Sequence, residues 1–169
     1  MAELDFPLNL KESKTMFLPV LFSIGIIIAS IFVHGMGTTY LVIYLYRKQQ
    51  RSVKKWGFST ALQVLSVTAL LLMLLHFIEI MIWASVYLMI PEIRQLANFE
   101  EAMYFSMVTY ATLGYGDIVL EPQWRIMSGF EAMSGILLFG WSTAMLFSSV
   151  QRILGQLLHR VVNNHRPSL

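Results

Sequence analysis

Residues Thr112 to Asp117 read Thr-Leu-Gly-Tyr-Gly-Asp and lie in a short polar and aromatic interval between two long apolar segments. Glycine populates positive φ about as readily as negative φ. Gly114 and Gly116 therefore allow alternate residues to change conformation, so that successive backbone carbonyls can point to one side of the segment. Several such strands around one axis would form stacked rings of oxygen atoms.

The composition of the chain is typical of a membrane protein. Of its 169 residues, 56% are hydrophobic and 13% are charged, which is far more apolar than an ordinary globular domain. Cysteine is absent, so the chain has no disulfide, thiolate metal site or cysteine nucleophile. The histidines lack zinc-ligand spacing, and we recognise no nucleophile with a base and no phosphate loop. We therefore expect neither an enzyme nor a bound cofactor.

Three apolar segments are long enough to cross a bilayer, which takes about 20 residues. They cover residues 16–46, 60–90 and 124–158. The second segment stops at Pro91, because proline cannot continue the hydrogen-bond ladder of a helix. A cleaved signal peptide would have a shorter apolar stretch than the first segment, so we expect a retained helix there.

A shorter helix is predicted between the second and third spans. Asn98 and Glu101 have the spacing of an N-cap and its capping box, which predicts a helix over residues 98–111. A helix of this length reaches only about two-thirds of the way across a bilayer. It must be re-entrant, and the irregular return through residues 112–117 is tolerated only where it is buried in protein or lines water.

The charge distribution predicts the orientation. The interval 91–125 carries five acidic residues and two arginines, and we expect it outside the cell. Short loops rich in Lys and Arg stay cytoplasmic. We therefore expect an extracellular N-terminus, a cytoplasmic C-terminus and anionic lipids as candidate partners of a basic cluster. That cluster consists of Arg47, Lys48, Arg51, Lys54 and Lys55.

The order of these segments resembles the pore domain of potassium channels: a spanning helix, a short re-entrant helix, a Thr-Leu-Gly-Tyr-Gly strand and a second spanning helix. The resemblance covers residues 60–158. Residues 1–59, with the first helix, are an addition, and residues 159–169 form a short tail. In potassium channels the strand carbonyls are known to replace the hydration shell of the ion.

The resemblance implies an all-α membrane protein with three transmembrane helices, a pore helix and a selectivity filter. Because one chain holds one filter strand, it also implies a homotetramer around one pore. K⁺ would bind to the Thr112 hydroxyl and to backbone carbonyls, while Gly116 would shape the outer exit. The residues that would supply these carbonyls are Thr112, Leu113, Gly114 and Tyr115.

The supports of the filter depart from the pattern of the family. The resemblance implies that Tyr115 packs into a surrounding cuff and that Asp117 braces the outer mouth. Phe105 and Val108 occupy positions where many members place hydrogen-bonding Trp and Glu. We therefore expect Asp117 to lack its usual partners and the outer filter to be prone to gating or inactivation.

Two acidic residues in the spans are candidates for gating. A carboxylate within the membrane is costly and marks a functional site by default. Glu79 is either a proton-sensitive partner of His76 or part of a buried interhelical hydrogen bond, to Glu131 or to a hydroxyl on the third span. For Glu131 we expect a structural tie to the backbone of the pore helix rather than contact with the ion.

Small residues interrupt two of the spans. Gly135 and Gly140 lie about where inner helices of this family bend, so either a hinge or a close helix contact explains them. In the first span we interpret His34, with Gly35 and Gly37, as a packing notch.

Two further functions compete with a potassium-selective channel. One is a nonselective cation channel, although the intact Gly114-Tyr115-Gly116 favours selectivity for K⁺. The other is a non-conducting regulatory subunit that assembles with another channel through the first helix. No segment carries the regularly spaced arginines of a voltage sensor.

Overall fold

The computed structural model describes residues 10–51 and 58–164, and within these ranges the chain forms helices and no strand. The helices are α1 (Leu10–Arg51), α2 (Phe58–Met89), α3 (Phe99–Tyr110) and α4 (Arg125–Asn164). Three stretches are long and apolar enough to cross a membrane: Met16–Arg47, Phe58–Met89 and Arg125–Gly155. The expected all-α membrane architecture is confirmed.

The ends of the helices follow local signals. α2 ends at Met89, two residues before Pro91, as expected from the missing N–H of proline. α1 and α4 continue beyond their apolar segments into polar sequence, because Lys, Arg and Gln are themselves good helix formers. The 12 residues of α3 make a helix of about 18 Å, which is too short to cross a hydrocarbon core of about 30 Å.

The described chain divides into two compact units, and the first comprises residues 10–29 and 80–135. Its core is built on fully buried aromatic side chains, notably Trp83 and Tyr87, with Ala102 contributed by α3. This unit contains the whole interval between the second and third spans.

A buried hydrogen bond joins α2 to α4 in the first unit. The Tyr87 hydroxyl donates to Glu131 Oε2 over 2.8 Å, and both residues are fully buried. Glu131 thus makes a structural tie, but its partner here is the Tyr87 side chain of α2 and not the expected backbone of the pore helix. A buried tyrosine hydroxyl needs an acceptor, and the Glu131 carboxyl group provides it.

The second unit comprises residues 30–51, 58–79 and 136–164 of the described chain. Ala61, Val64 and Ile153 form a small apolar cluster in it. Gly37 lets α1 and α2 approach closely, because an added Cβ would overlap the Leu75 side chain. Most of the other buried side chains of this unit are polar.

Many large apolar side chains stay exposed along the three spanning helices, as Phe17, Leu70 and Ile136 illustrate. In water this exposure would be costly. Lipid tails are as apolar as these side chains, so a bilayer removes the cost.

The two glycines considered as hinges differ in their surroundings. At Gly135 an added Cβ would overlap the carbonyl oxygen of Tyr110, at the end of α3. At Gly140 no described atom lies within 4 Å of an added Cβ, and α4 is helical through both positions. A close contact therefore accounts for Gly135, whereas no contact accounts for Gly140.

Gly135→Ala should lower the free energy of unfolding of the purified protein by roughly 1–3 kcal/mol, because a methyl group cannot fit against a backbone carbonyl without moving α3. Gly140→Ala is the matched control and should raise stability by up to about 1 kcal/mol through helix propensity. Thermal unfolding in detergent measures both. Equal effects of the two substitutions would contradict the contact at Gly135.

Candidate ion-conducting site

The N-terminus of α3 is capped by Asn98, as predicted. Asn98 has an extended backbone (φ −148°, ψ 172°), and its side chain accepts the N–H of Glu101 over 3.0 Å. Glu101 Oε2 accepts the N–H of Ala97 over 2.8 Å, one residue earlier than in the standard capping box. Two backbone donors at the start of α3 are thereby satisfied.

The C-terminus of α3 passes into the Thr112–Asp117 segment through a Schellman motif. The N–H of Leu113 donates to the carbonyl of Val108 over 2.9 Å, and the N–H of Thr112 donates to the carbonyl of Thr109 over 2.9 Å. These two bonds have the 6→1 and 5→2 pattern that defines the motif. The residue after the C-cap Ala111 must then adopt the left-handed conformation, and Thr112 does so with φ 60°.

Positive φ recurs at every second residue of the segment. It is 60° at Thr112, 53° at Gly114 and 78° at Gly116. The alternation predicted from the two glycines is thus present, and it begins one step earlier, at a threonine. In the single chain this segment is exposed, with Leu113 at 58% and Tyr115 at 68% of their accessible surface, so residues 10–51 and 58–164 of the same chain do not supply the expected cuff around Tyr115.

Thr112 is strained by this backbone. A β-branched residue at positive φ is an outlier, and the left-handed conformation costs about 1–2 kcal/mol for any residue except glycine. A Schellman motif usually places glycine here. Strain of this kind clusters at functional sites, which is consistent with the role that the sequence predicts for the threonine hydroxyl.

Asp117 lacks the usual partners at positions 105 and 108, as expected, but it has a hydrogen-bond partner at another position. The Tyr104 hydroxyl donates to Asp117 Oδ2 over 2.6 Å. This bond holds the pKa of the Asp117 carboxyl below its usual value, because the phenol stabilises the charged form. Phe105 and Val108 carry no side-chain donor, but the residue before Phe105 supplies one.

Phe105 and Val108 support α3 in other ways. The Phe105 ring packs edge-on against Tyr87, with ring centroids 5.3 Å apart and an interplanar angle of 79°. Val108 acts through its backbone, because its carbonyl accepts the N–H of Leu113 and, over 3.4 Å, that of Gly114. The side chain of Val108 is itself buried.

Glu79 is held by two histidines in the second unit. Oε1 lies 2.8 Å from His34 Nδ1, and Oε2 lies 3.1 Å from His76 Nδ1. The spacing of His76 and Glu79 predicts this contact as one of two alternatives, and a proton-sensitive role of the pair stays a prediction. The interpretation of His34 as a packing notch is wrong, since His34 is fully buried and bonded to Glu79. A hydroxyl of the third span, Ser142, does join the group, but it contacts the histidines.

The basic cluster is only partly described. Arg47 is exposed at the end of the first span. The side chains of Lys48 and Arg51, and the whole of Lys54 and Lys55, lie outside the described residues. Their contact with anionic lipids stays a prediction.

One comparison with known protein families gives a match over the part of the chain that contains the Thr112–Asp117 segment. Residues 75–152 match the family model described as "Ion channel". This match supports an ion channel function. The matched stretch includes α3, the Thr112–Asp117 segment and most of α4, and it favours a transport protein over an enzyme. No curated protein and no solved structure matches the chain.

Thr112→Gly should raise the free energy of unfolding by about 1 kcal/mol while impairing ion conduction. The stability gain follows from relief of the left-handed strain. The loss of conduction follows from removal of the hydroxyl that the family resemblance assigns to the ion. Thermal unfolding and vesicle flux measure the two effects. Thr112→Ser, which keeps the hydroxyl and the strain, is the control, and a less stable Thr112→Gly protein would refute the strain.

Tyr104→Phe should make conduction more sensitive to acid on the Asp117 side. The bond between Tyr104 and Asp117 lowers the Asp117 pKa. Its contribution to stability is therefore present above the ordinary aspartate pKa and is lost as the pH falls through the lowered pKa of Asp117. Without the phenol, the loss should begin at a higher pH. Current recorded against external pH measures this shift, and Tyr40→Phe, at an exposed tyrosine of α1, should not change the profile.

Proposed function

We propose that the chain is the subunit of a potassium-selective channel, in which four copies surround one pore. The observation that carries the proposal is the Thr112–Asp117 segment, which leaves a capped half-length helix with positive φ at every second residue inside the stretch that matches an ion channel. K⁺ would pass between carbonyl oxygens of Thr112, Leu113, Gly114 and Tyr115.

The exposure of the segment supports assembly from several chains. A selectivity filter surrounds the ion with rings of oxygen atoms, and one chain supplies one strand. Leu113 and Tyr115 are large side chains left mostly exposed by their own chain. Three further copies would cover them and complete the rings, so the homotetramer is part of the proposal.

The electrostatics of α3 favour a cation. The C-terminal end of a helix carries roughly half a negative charge, and acidic residues complement the positive N-terminal end. Glu100 and Glu101 occupy the first turn of α3. Four helices that point their C-terminal ends at one axis would add their fields at a cation on that axis.

The orientation belongs to the same proposal. The basic segment after the first span would lie in the cytoplasm, and the acidic interval around α3 would face outward. The outer mouth of the filter would then be braced by the bond from Tyr104 to Asp117 in each subunit.

Reconstitution of the purified chain alone into liposomes tests the function. We expect a reversal potential that follows the K⁺ gradient and ignores Na⁺. Gly114→Ala is a sharp inactive control, because an added Cβ there would meet no described atom within 4 Å yet would strain a backbone at φ 53°. It should retain the fold and lose conduction.

Each other outcome of this experiment points to another function. A reversal potential that follows Na⁺ and K⁺ equally identifies a nonselective cation channel. No flux from a folded, tetrameric protein identifies a non-conducting subunit. Full conduction by Gly114→Ala would show that the ion does not pass through this segment.

A further inference from the structure

A buried polar cluster in the second unit plays no part in the proposed conduction. His34 comes from α1, His76 and Glu79 from α2, and Ser142 from α4. Their exposed fractions are 0%, 5%, 0% and 8%, in that order. All four lie in helices that are apolar enough to span a membrane. Ionisable groups at such positions are costly and indicate a functional site.

The four side chains form a closed ring of contacts. Each histidine turns Nδ1 toward one oxygen of Glu79, at 2.8 Å for His34 and 3.1 Å for His76. Each turns Nε2 toward the hydroxyl oxygen of Ser142, at 3.2 Å and 2.9 Å respectively. The carboxylate thus lies at one side of both imidazole rings and the hydroxyl at the other.

Neutral histidines carry too few hydrogens for this ring. Four contacts need four hydrogens, whereas two neutral imidazoles and one hydroxyl supply three and an ionised carboxylate supplies none. One contact would therefore join two lone pairs. One additional positive charge, either a further proton or a metal ion, removes this shortage.

We propose that His34, His76 and Glu79 bind one divalent transition-metal ion of the zinc type. One ligand atom from each residue can be chosen so that all three lie within 4.8 Å of one another. Ligands at zinc bond lengths of about 2.1 Å are about 3.4 Å apart on a tetrahedral ion. The nitrogen–oxygen distances of 2.8 and 3.1 Å would have to widen by about 0.6 and 0.3 Å, and one oxygen of Glu79 would have to turn toward both histidines.

The donor set and its spacing suit such an ion. Imidazole nitrogens prefer zinc and its neighbours in the transition series, and a carboxylate completes many of their sites. His76 and Glu79 are three residues apart on one helix, the spacing by which metal-binding helix bundles project a histidine and a glutamate to the same place.

Ser142 contacts both ligating histidines without touching the ion itself. With the ion on both Nδ1 atoms, each neutral imidazole carries its hydrogen on Nε2. The two lone pairs of the Ser142 hydroxyl can then accept both hydrogens, so each contact between Ser142 and a histidine has its own hydrogen. A ligating histidine usually donates its other N–H in this way.

Aromatic rings enclose the histidines. Trp141 lies edge-on to His34 with centroids 5.5 Å apart, and Phe139 lies 4.5 Å from His76. These rings exclude water, which strengthens the attraction between the ion and the Glu79 carboxylate. The bound ion would fasten α1 to α2 and would give the additional first helix a specific attachment. The site involves no filter residue, so it can be tested apart from conduction.

Cobalt binding to the tag-free, chelator-treated protein tests the site. We expect one Co²⁺ per chain, with the visible d–d absorption of a tetrahedral cobalt site, displaced by Zn²⁺. Zn²⁺ should also raise the unfolding temperature of the protein by about 5 °C or more. Conduction measured in parallel shows separately whether the proposed channel function stands.

Three variants locate the ion. Glu79→Gln keeps the shape of the side chain but should weaken Co²⁺ binding at least about 100-fold, whereas Ser142→Ala keeps every ligand and should weaken it about 10–100-fold. The double variant His159→Gln/His165→Gln removes the two remaining histidines of the chain and should bind as the parent does.

Several results would overturn the proposal. They are the absence of Co²⁺ binding, binding that survives both Glu79→Gln and Ser142→Ala, and binding that is lost with the control pair. The first would leave an additional proton as the charge that completes the ring. Because Ser142→Ala leaves the ligands in place, a failure of Glu79→Gln to fold does not remove the test.

Discussion

The exit of the chain from α3 is the constraint on which the ion channel segment depends. The last carbonyls of a helix need hydrogen-bond donors, and in the proposed re-entrant position of α3 these must be local because lipid offers none. The Schellman motif does this for Val108 and Thr109. It also requires a left-handed residue at Thr112, and from there positive φ recurs at Gly114 and Gly116. The way in which α3 ends therefore determines which residues of the proposed filter have positive φ.

The Thr112–Asp117 segment, strained at Thr112, needs a rigid support, and the first unit supplies it. Asn98 caps one end of α3, and Gly135 allows α4 to lie against the carbonyl of Tyr110 at the other. Between them the Phe105 ring packs on Tyr87, whose hydroxyl is held by Glu131. The helices of the second unit are held together differently, because its buried contacts centre on two histidines and a carboxylate rather than on aromatic packing.

The features of this fold that sequence predicts well are local. Span length, the end of α2 before Pro91, the Asn98 cap and the conformational freedom of Gly114 and Gly116 each depend on a few neighbouring residues. The incorrect expectations concern side-chain partners. The resemblance directs attention to Phe105 and Val108, whereas the partner of Asp117 in the structure is Tyr104. His34 lies on a different helix from Glu79, so no local pattern groups the two, and the sequence indicates only an unspecified hydroxyl of the third span where the structure has Ser142.

The sequence by itself determined an all-α membrane protein with three possible spans, a capped half-length helix and a glycine-bearing strand after it. Hydrophobic length and capping chemistry suffice for these, because both act over a few turns of chain. Only the tertiary structure decided that Tyr104 braces Asp117, that Glu131 accepts from Tyr87 and that His34 meets Glu79. Those contacts join residues 13, 44 and 45 positions apart, and they depend on how helices pack, which no local pattern encodes.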